Sequence, residues 1–267
     1  MKRLSGCIFF IFCLPLLCFS QQDDPPTFKY FFPDNYWSFL RGDVYLKDGS
    51  FIYLENNLVF NKYKGIGSGI FENLQHHQYV LGLQYCGGQH WYMGAKQTFL
   101  SNPDVTYITE LNALHAGSIL QKVDFIQQLS FEYISPPKSD NPHVIIRNEG
   151  RLSLLLMLHK EFNLLNRPLK IHLFARPYLK FYFGENTSNI YQERFIDRTR
   201  FGMYATYGVF KNVHIGAFAF RETDYYYRKG MSPEGRLNQI TPQYGFILNV
   251  VINNKNRQNP LLGMPLF

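Results

Sequence analysis

Three long stretches of this chain alternate apolar and polar side chains with a period of two, and this limits what it can fold into more than any other feature. From Arg147 to Glu161 the odd positions are Arg147, Glu149, Arg151, Ser153, Leu155, Met157, His159 and Glu161, while the even positions of that stretch are mostly leucine. Between Leu169 and Phe183 the even positions carry Lys170, His172, Phe174, Arg176, Tyr178, Lys180 and Tyr182, and the odd positions are all apolar. Lys122, Asp124, Gln128, Ser130 and Glu132 likewise alternate with Val123, Phe125, Leu129, Phe131 and Tyr133. Successive side chains of a strand point to opposite faces. Each segment therefore has one greasy face and one charged face.

A soluble antiparallel sheet turns such an apolar face to a core, whereas a membrane barrel turns it to lipid and its polar face to the lumen. Strand length separates the two, because soluble strands run to roughly five or six residues and membrane strands to at least about nine to eleven. The patterned segments here run to about fifteen. The pattern places strands near 36–47, 51–62, 76–86, 89–99, 105–113, 119–134, 145–161, 168–183, 194–210, 213–227 and 240–252. Tight links (Asp48-Gly49, Gly87-Gly88, Lys211-Asn212) and modest ones (115–118, 162–167) alternate with mostly longer links at 63–75, 100–104, 135–144, 184–193 and 228–239. That rhythm matches periplasmic turns and extracellular loops. It starts 36–47 outside the cell, so a preceding strand at Thr27–Phe32 completes twelve, or the count is ten if 27–32 and 105–113 are not strands. The expected fold is all-β, a single antiparallel up-and-down transmembrane β-barrel of 10–12 strands. The barrel occupies 36–252, after an N-terminal segment at 21–35.

The first twenty residues predict export. Lys2 and Arg3 precede an apolar run from Cys7 to Phe19, and Cys18 and Ser20 are small residues at a cleavage site. This is the pattern of a signal peptide over 1–20, too short in its apolar part to span a bilayer. A lipid-anchored Cys18 would follow a small residue, and Leu17 stands there. No later stretch approaches the roughly 18 apolar residues of a membrane helix. With three of four cysteines in the signal, Cys86 is alone and no disulfide framework is expected. Aromatic residues make up 17% of the chain and charged residues 18%, as membrane barrels with aromatic girdles require. Export makes nucleic acid an improbable partner for the +7 charge. Membrane lipid and lipopolysaccharide, small anionic solutes and the barrel-assembly machinery are the partners expected. The terminal Phe267 fits that machinery, although Pro260 and Pro265 argue for a periplasmic tail over 253–267.

Trp37-Ser38, Gln192-Glu193-Arg194-Phe195 with Arg198 and Arg200, and Gln243-Tyr244-Gly245-Phe246 give the chain a resemblance in pattern over about 36–252. It resembles a family of Bacteroidetes outer-membrane β-barrel proteins of unknown function. The resemblance implies an outer-membrane barrel and carries over no activity and no functional residue.

The candidate site is a ladder of lumen-facing charges: Lys122, Asp124, Glu132, Arg147, Glu149, Arg151, Lys170, Arg176, Arg198, Arg200 and Arg221. Charges in a narrow barrel are costly unless paired or wet, so the first reading is an interlocked plug. The second is an arginine-lined anion path or sugar-phosphate site. The histidines show no metal spacing such as H-E-x-x-H, and neither a metal nor another cofactor is expected. There is no G-x-S-x-G elbow, so serine catalysis would need Ser130 or Ser153 to meet His159 or His172 through strand register. Tyr225-Tyr226-Tyr227 fits an interfacial belt, with carbohydrate stacking as the sharper alternative. The expected role is a structural or narrow, porin-like transport element of the outer membrane. The alternatives are a barrel enzyme acting on lipid A or phospholipid, and a soluble, periplasmic lipocalin-like binder.

Overall fold

The computed structural model describes residues 27–46, 49–61, 74–88, 90–102, 104–120, 123–135, 148–183, 191–228 and 235–252. These form twelve strands: β1 (Thr27–Phe31), β2 (Asn35–Tyr45), β3 (Phe51–Asn61), β4 (Leu74–Cys86), β5 (Trp91–Asn102), β6 (Asp104–Leu120), β7 (Val123–Ser135), β8 (Glu149–Leu164), β9 (Arg167–Tyr182), β10 (Tyr191–Phe210), β11 (Val213–Arg228) and β12 (Gly235–Ile252). The segments 1–20 and 253–267, and the ladder residues Lys122 and Arg147, lie outside the described residues.

From β2 to β12 each strand pairs antiparallel with the next, and β12 returns to β2 to close a barrel of eleven strands. The closing pair is parallel, running from Gln243 beside Asn35 to Ile252 beside Val44. An odd number of up-and-down strands leaves the first and last pointing the same way, so closure can only be parallel. The expectation of a wholly antiparallel barrel is corrected at this seam. A second correction concerns β1, which crosses no further wall position. It lies parallel to β12, with Thr27 beside Arg236 and Phe31 beside Ile240, on the edge that β2 takes up further along. Phe32-Pro33-Asp34 interrupts that edge, and Pro33 has no N–H to give to a ladder. The described chain thus starts at the end with the longer connections (the loop side) and finishes at the other (the turn side).

The strand boundaries differ most at β6 and β7. Residues 115–118, expected to be a turn, belong to β6, and the link is 121–122. The inward row of β6 passes from Glu110 and Asn112 to Leu114 and Ala116, all buried. The polar alternation fades there although the strand continues. The β8–β9 turn is Leu165-Asn166, both left-handed at φ 50° and 61°, which gives the mirror-image geometry that suits a two-residue hairpin.

Both faces of the barrel follow the alternation. Every strand from β2 to β12 has a large exposed apolar residue on the outer wall: Leu40, Leu54, Leu81, Met93, Leu111, Leu129, Leu158, Leu173, Met203, Ile215 and Phe246. Exposed aromatics flank this band, among them Tyr79, Phe99, Tyr107 and Tyr244 on the loop side and Tyr85, Trp91, Phe162 and Phe210 on the turn side. Inside, every one of those eleven strands also adds a residue to one cluster of buried apolar side chains. Phe51, Leu114, Ile126, Leu155, Met157, Phe174, Tyr204, Phe218, Ile247 and Val251 belong to it. Gly82 leaves room for the ring of Tyr53, which lies where a Cβ would project. A cluster fed from all sides spans the lumen, so the turn-side half is filled.

Candidate functional site

Above this packing, at the loop side, the lumen widens into a cavity of about 500 Å³. Phe39, Val80 and Phe220 belong both to the packed cluster and to the cavity wall, which makes them its floor.

Strand register sets the charges around it. Lys96, Glu110, Glu132, Arg151 and Lys180 are successive cross-strand partners from β5 to β9. Arg176, Arg200 and Glu222 are partners from β9 to β11. Lys96 Nζ lies 2.7 Å from Glu110 Oε2. Ser130 donates its hydroxyl to Glu110 at 3.0 Å and Gln128 its amide at 3.1 Å. Arg176 Nη2 donates to Ser153 at 2.9 Å and lies 3.6 Å from Glu110 and 3.5 Å from Glu132, so it bridges two adjacent carboxylates. Nearer the mouth, Arg198 donates through Nε to Asp224 and Arg200 through Nε to Glu222, both at 2.6 Å. Arg151 Nε lies 3.5 Å from Glu132 and Lys180 Nζ 3.0 Å from Glu149. The guanidinium carbons of Arg151, Arg176 and Arg200 all lie within 5.9 Å of the Tyr178 ring centre.

Of the predicted ladder, the structure brings Glu132, Arg151, Arg176, Arg198 and Arg200 to this cavity. Glu149 faces inward beside Lys180. Asp124 and Lys170 also pair on the inner row, but at the turn side, with His159 at 3.2 Å and Glu161 at 3.9 Å. Arg221 is corrected: it is exposed, on the outward row of β11, and its Nε donates to Thr223 at 3.3 Å. On β11 the inner row is the even one, Glu222 and Asp224, which the sequence reading did not pick out.

Also missed were Arg41, Asp43, Glu55, Lys96 and Glu110. Arg41 is buried between Asp43 at 2.7 Å and Glu55 at 2.8 Å, with its guanidinium 4.1 Å from the Tyr53 ring centre. The pairs Arg41/Asp43 and Glu222/Asp224, each two residues apart, were the available signal. It was hidden because their inner rows also hold Phe39, Tyr45, Phe218 and Phe220.

The serine and histidine candidates do not meet. Ser153 is opposite Tyr178 while His172 is opposite His159, six register steps away, about 20 Å at 3.3 Å per residue. Ser153 is instead a ligand of Arg176. His159 and His172 stack loosely at 5.2 Å, and no cluster able to hold a metal ion is found among the described residues. The three tyrosines divide: Tyr226 lines the cavity, and Tyr225 bonds Thr199 at 2.9 Å on the outer face.

Comparison with protein-family models, curated proteins and solved structures finds no match for this chain.

Proposed function

We propose that the protein is an outer-membrane β-barrel whose lumen is a blind cup, closed on the turn side and open on the loop side, so that it acts as a structural or solute-binding element and not as an open pore. The observation that carries this reading is the pairing of two rings on the same eleven strands, one of exposed apolar residues outside and one of packed apolar residues inside. In water, an outer band of this kind would far exceed the few hundred Å² of contiguous apolar surface that monomers tolerate. In a bilayer it is the lipid-facing wall, and the flanking Tyr, Trp and Phe sit at the interfaces. The resemblance to a Bacteroidetes family and the signal-peptide pattern expected over 1–20 point to the same compartment, and the longer connections then face the exterior. No helix among the described residues is long and apolar enough to cross a membrane, so any crossing is made by strands.

Cell fractionation and planar-bilayer recording test this together. The protein is expected to need detergent for extraction and to give no conductance steps. Release by salt or sonication alone would overturn the membrane assignment, and stepwise ion currents from the purified barrel would overturn the blind cup.

A further inference from the structure

We infer that the loop-side cavity binds an acidic saccharide, a sugar carrying a phosphate or carboxylate group. This rests on the blind-cup reading and adds the chemistry of what the cup holds. The cavity volume of about 500 Å³ lies inside the roughly 300–1,000 Å³ range of small-molecule sites.

Its two walls differ in kind. On the β8–β10 side, Arg176 faces Arg200 and Arg151 faces Lys180 as direct cross-strand partners. Like charges placed opposite one another destabilise a sheet, and carboxylates hold each of these cations in place: Glu110 and Glu132 beside Arg176, Glu132 beside Arg151, Glu149 beside Lys180 and Glu222 beside Arg200. Asp224 and Glu222 hold Arg198 and Arg200 by their Nε atoms. Among the described residues, neither guanidinium has a hydrogen-bond partner for its Nη2. Two guanidinium groups are thereby pinned, Arg200 also through Nη1 to Tyr178 Oη at 3.2 Å, and the Nη2 of each is left as a donor that can meet an oxyanion with little further loss of side-chain freedom.

The opposite wall, from β12 through β2 to β4, has Glu55 as its carboxylate and His76 as its imidazole, and is otherwise rich in amides around one indole. Asn35, Asn57, Gln78 and Gln243 line it with Trp37. Asn57 is 2% exposed, and its carboxamide oxygen has no hydrogen-bond partner among the described residues. A buried acceptor without a donor calls for a ligand rich in hydroxyl groups. Trp37 is fixed by an Nε1 bond to Gln243 at 2.6 Å. Cationic donors facing an amide-and-indole wall fit a molecule with an anionic end and a polyol ring.

The test uses the purified full chain in detergent, titrated calorimetrically with glucuronate, glucose 6-phosphate, glucose and inorganic phosphate. Both acidic sugars are expected to bind at least about tenfold more tightly than glucose or phosphate alone, and Arg151→Gln to weaken them by about tenfold. Equal affinity for glucose and glucuronate would remove the anionic half of the inference, and equal affinity for phosphate and glucose 6-phosphate the sugar half. Should Arg151→Gln fail to fold, the wild-type salt dependence decides. Affinity for glucuronate must fall as salt rises while that for glucose holds. A folded, non-conducting barrel that binds none of the four overturns the ligand and leaves the cup standing, whereas a conducting barrel overturns the cup itself.

Discussion

Arg41 in the turn-side half and Arg198 in the loop-side half belong to the same kind of interior row, yet their surroundings differ sharply. The Arg41 side chain is 0% exposed, enclosed by Asp43, Glu55 and Tyr53, and Asn249 reaches across the seam to Asp43 at 2.8 Å. Arg198 is also held by a carboxylate but stays 26% exposed at the cavity wall. A charge in the packed half must be neutralised by protein, because the alternative is an unpaired ion in a dry interior, and Arg41 meets this with two carboxylates even though its Nη2 has no hydrogen-bond partner among the described residues. A charge beside the cavity can leave a donor to water or ligand. The turn-side half is therefore packed and internally paired, and the loop-side half, whose charges border the cavity, is where the proposed ligand would bind.

That division is most exposed to test at Arg41. Replacing it with Met strands Asp43 and Glu55, and we predict a loss of about 3–5 kcal/mol, read from the urea unfolding midpoint in detergent. Adding Asp43→Asn and Glu55→Gln should recover most of it, and no recovery would mean that packing, not charge, was lost. Close behind, Leu114→Ala, at 0% exposure, should cost about 2–5 kcal/mol by leaving a void in the plug. A cost under about 1 kcal/mol would show the turn-side half to be loosely filled.

On the outer wall, Leu54→Arg should destabilise the membrane-inserted barrel by about 2–4 kcal/mol, as a cation near the bilayer midplane does. A neutral or solubilising effect would sink the lipid-facing assignment. Smaller again is Glu222→Gln at the loop side, expected to cost about 1–2 kcal/mol because Arg200 keeps Tyr178 Oη at 3.2 Å and partial access to water. If it matched Arg41→Met, the contrast between the halves would be gone. Arg221→Gln, outside the lumen altogether, should move the midpoint by no more than about 0.5 kcal/mol.

The ladder was legible where one face of a strand was uniformly greasy. On β8 and β9 the even row of one and the odd row of the other meet the outside, so Arg151 and Arg176 could be assigned inward from alternation alone. On β2, β3 and β11 both rows contain aromatics, because the inner row must fill the lumen as well as line it. Arg41, Glu55 and Glu222 were lost for that reason. Arg221 was misplaced because the charged run Arg221-Glu222 does not show which of its members faces in.

Local chain chemistry settled the two-faced strands, their number to within one, and the rhythm of short and long links, since side-chain alternation and turn composition depend on near neighbours only. Closure was decided in three dimensions. The parallel β2–β12 seam joins residues some two hundred positions apart, such as Trp37 and Gln243, and no local pattern encodes that register. The same holds for the packed turn-side half of the lumen. Whether a lumen is open depends on the summed volume of side chains arriving from eleven strands, and that sum exists only once the sheet has closed.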